Sequence, residues 1–479
     1  MVGAAAMVAT RFSVRLLGLV SVTILARLLT PEDFGVFGTA ALVLAFFIMV
    51  KEIGFGEAVI KTQGITKEDI DTLWTIRFLL SCLAALALFF LAGPIASFLK
   101  EPRVIDVLRL MAFIPVLDSF CSPASSLLLK EFKYGSDFIL KSSDKLVRVI
   151  AVIILALTLK SYWALVFGSL LAAVFGVIVS HIARPYKPSL TLAKWKTFGS
   201  FSLWIYSRGV GKYLGNSADE LVVRASENSA FFGIYHVSRD ISRILITELI
   251  SPIGEALLPA LVKFSGEIDR FSSAVRNIVG VYLIVGVAVA LGIILTSNEI
   301  VLLLLGPQWG EAGRYLALIA IGSACNSMAD VNQSIFIAKN VPRYGAIFWG
   351  VRASSYFVFC LISGIFWGAE GVAITFSLVS IVMLSAELVS ISFLVPSKDT
   401  WFLLFVRPVL AGGAMCASVL WGMPSFEAPI GVLAALKVLV GASVYIIVLV
   451  GLWWISGKPK GPEHALLQKL PQKVQAFIL

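Results

Sequence analysis

The sequence predicts an all-α, polytopic membrane protein of about 14 transmembrane helices, built as two parallel six-helix repeats followed by two further helices. Three observations predict it. Hydrophobic residues make up 58% of the chain and charged residues 14%, with a mean hydropathy of +0.92. A soluble domain is about 45–50% apolar and about 25% charged, so this much apolar surface cannot be hidden from water. Apolar runs of about 20 residues recur along the whole length. That is the length of a membrane helix, whereas a barrel would show alternating segments of about 10 residues. Finally, short motifs return at a spacing of 198 residues.

The expected spans are 4–27, 33–50, 73–97, 105–128, 138–158, 162–182, 198–220, 231–257, 274–297, 312–338, 344–366, 370–394, 402–421 and 430–455. The opening MVGAAAMVATRFSVRLLGLV lacks the charged n-region and cleavage site of a signal peptide, so it reads as the start of the first span. Span 105–128 contains Pro115 and Pro123, which are expected to kink it. Span 231–257 is the most charged. The polar connections reach only about 15–25 residues, which leaves no room for a hydrophilic domain.

Lys and Arg orient the spans. With the N-terminus in the cytoplasm, the inner segments carry about 18 of them and the outer loops about 4. Cytoplasmic loops carry such an excess, so both termini are expected on the cytoplasmic side. The net charge of +10 is then topology plus attraction to anionic headgroups, and no nucleic acid is needed to explain it. The five cysteines all lie in apolar runs without a CxxC or metal-ligand spacing, and read as small buried hydrophobes. No metal, cofactor or catalytic group is expected.

GFGEAVIK at 54 is echoed by PIGEALLP at 252, and DFGVF at 33 by FFGIY at 231, both at the 198-residue offset. Pro102 and Pro307 follow the third helix of each set, and FKYG ending at Gly135 matches PRYG ending at Gly345. The unit is therefore about six helices. An even number of spans returns the chain to the same side, so the copies are parallel, with an axis along the membrane normal and a site between them. The expected division is 1–190 for the first lobe, 191–397 for the second, and 398–479 for two added helices and a basic tail. Glu57 and Glu255, placed alike in the two copies, are cytoplasmic gate candidates or plain helix-end polar residues.

Charges inside spans cost roughly 2.5–3.5 kcal/mol each at a helix centre, so they face a cavity or a partner. Arg11 and Arg15 share one face of the first span, with snorkelling as the alternative. On the seventh, Ser202, Tyr206, Gly209, Tyr213, Asn216 and Glu220 form one polar stripe, and Arg208, Lys212, Gly215 and Asp219 a second. The eighth carries His236, Arg239, Asp240 and Arg243, a net positive group suited to multi-oxygen anions. On the tenth, Ser323, Asn326, Ser327, Asp330, Gln333 and Ser334 suit sugar hydroxyls or hydrogen-bonded helix packing. Tyr206, Tyr213, Asn216, Ser323, Asn326 and Gln333 are the neutral candidates for a polar cargo. Asp219, Asp240, Asp330 and His236 are the titratable ones for a coupling ion. An anionic head, a polar body and a greasy tail would fit such a cavity.

ARLLTPEDFGVF (26–37), EIGFGEAVIKTQGITKEDIDTLW (52–74), LLLGPQWGEAGRYL (303–316) and ADELVVRASENSAFFGIYHVSRDI (218–241) resemble the polysaccharide-export branch of the multidrug/oligosaccharidyl-lipid/polysaccharide exporter superfamily, above all its Wzx-type repeat-unit flippases. The resemblance implies two six-helix lobes forming a V. It also implies movement of undecaprenyl-pyrophosphate-linked oligosaccharides from the cytoplasmic to the periplasmic leaflet, driven by an H⁺ or Na⁺ gradient. By position it assigns the pyrophosphate to Arg15, Arg208, Lys212, Arg239 and Arg243, with Arg11 beside them. It further implies work as a monomer alongside a polymerase and a chain-length regulator. The family's longer basic lead-in before the first helix is almost missing here. A drug/cation antiporter of the same superfamily would want an anionic cavity. A membrane polymerase or glycosyltransferase would want a sizeable loop with catalytic groups. A scaffold would leave the intramembrane polar stripes unexplained.

Overall fold

The computed structural model describes residues 17–51, 65–126, 134–255, 267–339, 341–395, 401–422, 429–459 and 461–467. Every expected span meets a helical segment within those residues, and no strand occurs among them. Helix α1 runs Leu17–Leu28. It is followed by α2 Pro31–Lys51 and α3 Lys67–Phe98. The fourth expected span is broken into α4 Val104–Met111, α5 Phe113–Ser119 and a 3₁₀ turn, Pro123–Ser126. The break has a covalent cause, because a proline ring clashes with the carbonyl four residues back. For Pro115 that residue is Met111, where α4 stops.

Then come α6 Tyr134–Leu159, α7 Trp163–Ala183, α8 Trp195–Ser226, α9 Ser229–Glu255, α10 Ile268–Leu304, α11 Ala312–Ala338 and α12 Pro342–Leu394. The last described helices are α13 Phe402–Gly422, α14 Ile430–Ile455 and the short α15 Pro462–Leu467. The 53 residues of α12 would extend about 80 Å if straight, far beyond a bilayer core. Gly368, at φ 59° and ψ −154°, divides α12 into the two expected spans. That backbone conformation is essentially glycine's alone. Seven of the described helices are long and apolar enough to cross a membrane by length and composition. Helices α6, α8, α9 and α11 are long enough, but charges, hydroxyls and amides dilute their apolar surface.

The chain packs into two compact units, Met1–Val237 and Ser238–Leu479, divided within α9. The core of the first joins Val36, Ala40 and Leu44 of α2 to Leu88 and Ala92 of α3. Val107, Leu108 and Met111 of α4 and Val166 and Ala173 of α7 complete it. In the same unit the N-termini of α2 and α9 cross. Thr30 caps α2, its hydroxyl accepting from the Asp33 amide at 3.2 Å while Asp33 accepts from the Thr30 amide at 3.0 Å. Asn228 caps α9 by accepting from the Phe231 amide at 2.9 Å. The 198-residue offset carries Thr30 onto Asn228, so the repeat keeps the cap while changing the residue.

In the second unit α10 is the hub, with α11, α13, α14 and α15 against it. Ile284 of α10, Ala411 and Met415 of α13, and Tyr445 and Leu449 of α14 form one apolar cluster. The Tyr445 hydroxyl donates to the Ile284 carbonyl at 2.7 Å. The short helix α15 folds back so that Glu463 meets Arg407 at 2.9 Å, both buried.

Candidate functional site

Two polar constellations lie inside the helices, one in each unit. The first is built by α2, α8 and α9. The Tyr213 hydroxyl on α8 donates to the Leu42 carbonyl of α2 at 2.8 Å. Two turns on, Asp219 and Glu220 are buried side by side. Asp219 accepts from the Tyr235 hydroxyl of α9 at 2.8 Å, and Glu220 lies 3.0 Å from His236 Nδ1. One more turn along, Arg224 is buried, donating from Nε to Thr39 Oγ1 at 2.7 Å and from Nη1 to the Glu227 carbonyl at 3.0 Å.

Arg224 also approaches Glu101, in the loop after α3, at 3.9 Å. Glu101 takes two bonds from Arg103, at 2.7 and 2.9 Å, and one from the Ser229 hydroxyl. Burial pushes the Glu101 carboxyl up. The hydrogen bonds from Arg103 and Ser229 and the charges of Arg103 and Arg224 outweigh that and leave it below the ordinary carboxylate range.

The second constellation is a continuous chain in the C-terminal unit. Arg239 of α9 is buried, with its guanidinium 4.6 Å from the centre of the Phe376 ring. Phe376 stacks on Tyr356, centroids 5.3 Å apart. Tyr356 donates to Asn326 Oδ1 of α11 at 2.8 Å, and Arg352 donates to that same oxygen at 2.7 Å. Arg352 also donates to Glu387 at 2.7 Å, and Asn332 donates to the other Glu387 oxygen at 2.7 Å. Arg352, Glu387 and Asn332 are all fully buried. The hydrogen bonds offset much of the cost of burying this ion pair, although Arg352 Nε and Asn332 Oδ1 find no hydrogen-bond partner among the described residues.

The expected site residues sort accordingly. His236, Asp219 and Tyr213 join the first constellation, and Arg239 and Asn326 the second. Gln333 donates to the Gly345 carbonyl at 3.1 Å, so its amide serves helix packing. Asp240 and Arg243 pair at 2.7 Å, with Arg243 exposed. Lys212, Asn216 and Asp330 are exposed, and Ser323 is half-buried. Arg11, Arg15 and Glu57 lie outside the described residues, as do the side chains of Tyr206, Arg208 and Glu255. Arg352, Glu387, Asn332, Arg224 and Glu101 were not singled out in the sequence. Arg352 and Glu387 had one usable signal: Arg352 is the single charge of span 344–366, and Glu387 the single charge inside span 370–394 beyond Glu370 at its first residue. Among the described residues no cluster of His, Cys, Asp and Glu could hold a metal ion.

Residues 24–314, more than half of the chain, match the model of the polysaccharide biosynthesis protein family. The chain belongs to that family. Within such polysaccharide biosynthesis proteins it is 22% identical over 374 residues to the Escherichia coli lipopolysaccharide biosynthesis protein WzxC, covering 76% of this chain and 75% of that one. It is 23% identical over 332 residues to the Rhizobium meliloti succinoglycan biosynthesis transport protein ExoT, covering 69% and 67%. Its fold is that of the lipid II flippase MurJ in an inward closed conformation, with a TM-score of 0.74 at 16% identity over 93% of this chain and 98% of that one. An inward-facing multidrug resistance MATE transporter of the MOP superfamily follows at a TM-score of 0.60 and 15% identity, covering 82% and 100%. The chain is thus a polytopic all-α membrane protein of the polysaccharide biosynthesis family.

Proposed function

We propose that this protein is a flippase that carries undecaprenyl-pyrophosphate-linked oligosaccharide repeat units from the cytoplasmic to the periplasmic leaflet by alternating access. The observation that carries the reading is family membership across residues 24–314, joined to relatives named for lipopolysaccharide biosynthesis and succinoglycan transport. The physics agrees. Lys212, Arg239 and Arg243 place cationic groups on two otherwise membrane-length helices, which suits a diphosphate. A cationic drug would want the opposite sign, although the MATE-like likeness of fold is shared. Glycan contacts fall to exposed or half-buried amides and hydroxyls such as Asn216 and Ser323, and the prenyl tail stays in lipid. A H⁺ or Na⁺ gradient drives the cycle. Both termini face the cytoplasm, and the protein works as a monomer supplying a polymerase and its chain-length regulator.

The test is extraction of lipid-linked glycans, resolved by mass, from cells lacking the protein. Accumulation of complete prenyl-pyrophosphate repeat units on the cytoplasmic leaflet is the expected result. Incomplete units would point to a glycosyltransferase. No accumulation, with heightened sensitivity to cationic dyes, would point to a drug exporter. Arg243→Ala should insert normally and lose transport, and full activity would remove Arg243 from the diphosphate site.

A further inference from the structure

The two helices beyond the repeats are tied to α10 at successive levels. Towards one end Lys437 of α14 meets Glu299 of α10 at 2.5 Å. Further along, the Tyr445 hydroxyl of α14 donates to the Ile284 carbonyl at 2.7 Å. At the opposite end the tie is made by α15. Helix α14 stops in a Schellman turn, with Gly457 and Lys458 at φ 81° and 51°. The Lys458 amide donates to the Trp453 carbonyl at 3.2 Å and the Gly457 amide to the Trp454 carbonyl at 3.0 Å. This turn reverses the chain. The buried Trp453 then donates from Nε1 to the Pro459 carbonyl at 3.1 Å, and the His464 ring stacks on its indole, centroids 6.3 Å apart.

Helix α15 thereby enters the seam between α10 and α13. A Cβ added at Gly280 of α10 would lie 2.3 Å from Pro462 Cγ and 3.2 Å from Leu404 Cδ2 of α13. Glu463 pairs with Arg407 of α13 in this seam, and Arg276, one turn before Gly280, lies within electrostatic reach of both. The pair is incompletely served, because Arg407 Nε and Glu463 Oε2 find no hydrogen-bond partner among the described residues. A buried ion pair adds little net stability once its desolvation is counted, and a helix of six residues has none of its own. Docked and released states of α15 therefore lie close in free energy. The two charges differ in how they can escape. Glu463 sits on a short element behind a turn and can carry its charge into water. Arg407 is the sixth residue of a 21-residue helix that matches the thickness of a bilayer core, about 8 Å inside its end. Left without its carboxylate, this guanidinium reaches water only by leaving its packing against α10, and the end of α13 must move with it.

We propose that α15 is a reversible latch on the seam between α10 and α13. Docked, it closes the seam and ties the trailing helices to α10 at this end. Released, it opens the seam, and the Arg407 end of α13 swings away while Lys437 and Tyr445 still hold α14 further along. The two movements form one bistable element, because the stranded charge of Arg407 joins them. The latch lies within the second unit and operates whether or not the protein flips lipid-linked glycans.

The test uses the full chain in nanodiscs. Pro462→Cys puts a thiol on the docked face of α15, and its modification by a small water-soluble maleimide is read by peptide mass. Labelling should run to completion under native conditions, and at least about ten-fold faster when Glu463→Ala or Arg407→Met is added. Amide exchange in the first turns of α13, residues 406–412, separates a latch from static packing. Exchange there should rise several-fold in Glu463→Ala, which strands Arg407. It should stay at the native rate in Arg407→Met and in the double variant, where α15 is also released but no cation is left behind. Should Glu463→Ala yield too little folded protein, Glu463→Gln should give the same order with a smaller rise. A Pro462→Cys thiol that stays unlabelled in the otherwise native chain overturns the reversible docking. Exchange in α13 that rises equally in Glu463→Ala and Arg407→Met, or in neither, overturns the coupling.

Discussion

Gly35 and Gly233 each make room for the other's helix, and they do so reciprocally. A Cβ added at Gly35 would sit 1.6 Å from the Ser229 carbonyl oxygen, and one at Gly233 would sit 1.9 Å from the Pro31 carbonyl oxygen. The 198-residue offset carries Gly35 onto Gly233 and also Pro31 onto Ser229. Each copy of the motif therefore touches the partner residue of the other, the pattern of a two-fold contact between identical surfaces. The repeated Phe-Gly of DFGVF and FFGIY is explained by this crossing. Only a residue without a side chain lets two helix N-termini approach so closely.

Substituting either glycine by alanine should force the crossing apart. Overfilled packing costs typically about 1–3 kcal/mol, and the contact here is with backbone that has no rotamer to yield. Gly35→Ala and Gly233→Ala are expected to lower the thermal unfolding temperature of the detergent-purified protein by similar amounts. Adding the second substitution should cost less than the first, because the helices are already separated. Strict additivity would show that the two positions do not share one contact.

The cluster around Glu101 should be pH-sensitive in a defined direction. Its carboxyl sits below its ordinary value of 4.5 in the folded protein. A group depressed on folding contributes stability above its unfolded value and loses it as pH falls through the folded one. The thermal midpoint of the native protein should thus decline below about pH 4.5, and Glu101→Gln should flatten that decline. At neutral pH Glu101→Gln leaves the buried Arg224 guanidinium without its nearest carboxylate, a loss of up to about 3–5 kcal/mol. An unchanged acid limb in Glu101→Gln would assign the pH sensitivity elsewhere.

Asp71 fastens the connection between α7 and α8 to the first turn of α3. It accepts from the Tyr186 hydroxyl at 2.9 Å and from the Ser189 hydroxyl at 2.5 Å, while Thr191 N–H reaches Thr75 Oγ1 at 3.1 Å. Burial and the Asp71 charge both push the Tyr186 hydroxyl's titration upward, so it stays a donor at every accessible pH. Asp71→Ala should release this extended strap. Arg184 and Lys187 precede prolines and resist trypsin, so limited digestion is expected to cut Asp71→Ala after Lys194 at least several-fold faster than the native chain, since cleavage follows local opening. Equal rates would mean that backbone contacts alone hold the strap.

The fold was legible because its signal is coarse and repeated. Twenty apolar residues make a span whatever their order, and the 198-residue echo survives loop changes. Boundaries were less legible. Helix α3 starts at Lys67 where the apolar run suggested 73, because Thr66 and Asp69 form a capping box that adds polar turns ahead of the membrane-length stretch. The site was legible only as stripes. Periodicity placed Asp219, Glu220 and His236 on faces, but the partner helix of a face is a tertiary fact. Asn326 and Gln333 read as cargo contacts, and their amides are occupied by Arg352, Tyr356 and the Gly345 carbonyl. Arg352 and Glu387 stand 35 residues apart, with no local pattern to join them before the hairpin across Gly368 does so.

That pair gives the sharpest energetic expectation. Arg352 and Glu387 are 1% and 2% exposed and 2.7 Å apart. Removing one partner of a buried pair strands the other charge, at a cost of about 3–5 kcal/mol, whereas replacing both by apolar groups is often neutral or better. Arg352→Met alone should therefore yield little folded protein, and Glu387→Met alone should do the same. The double variant should recover much of the native yield and unfolding temperature, a coupling of the sign that double-mutant cycles detect. Asn326 and Asn332 would then lose their charged partners, so recovery should fall short of complete. If the double variant is as defective as the singles, the pair does more than satisfy its own charges, and flipping should be measured in whatever folded fraction remains. If the singles fold normally, water reaches the network and its burial is not maintained in the membrane.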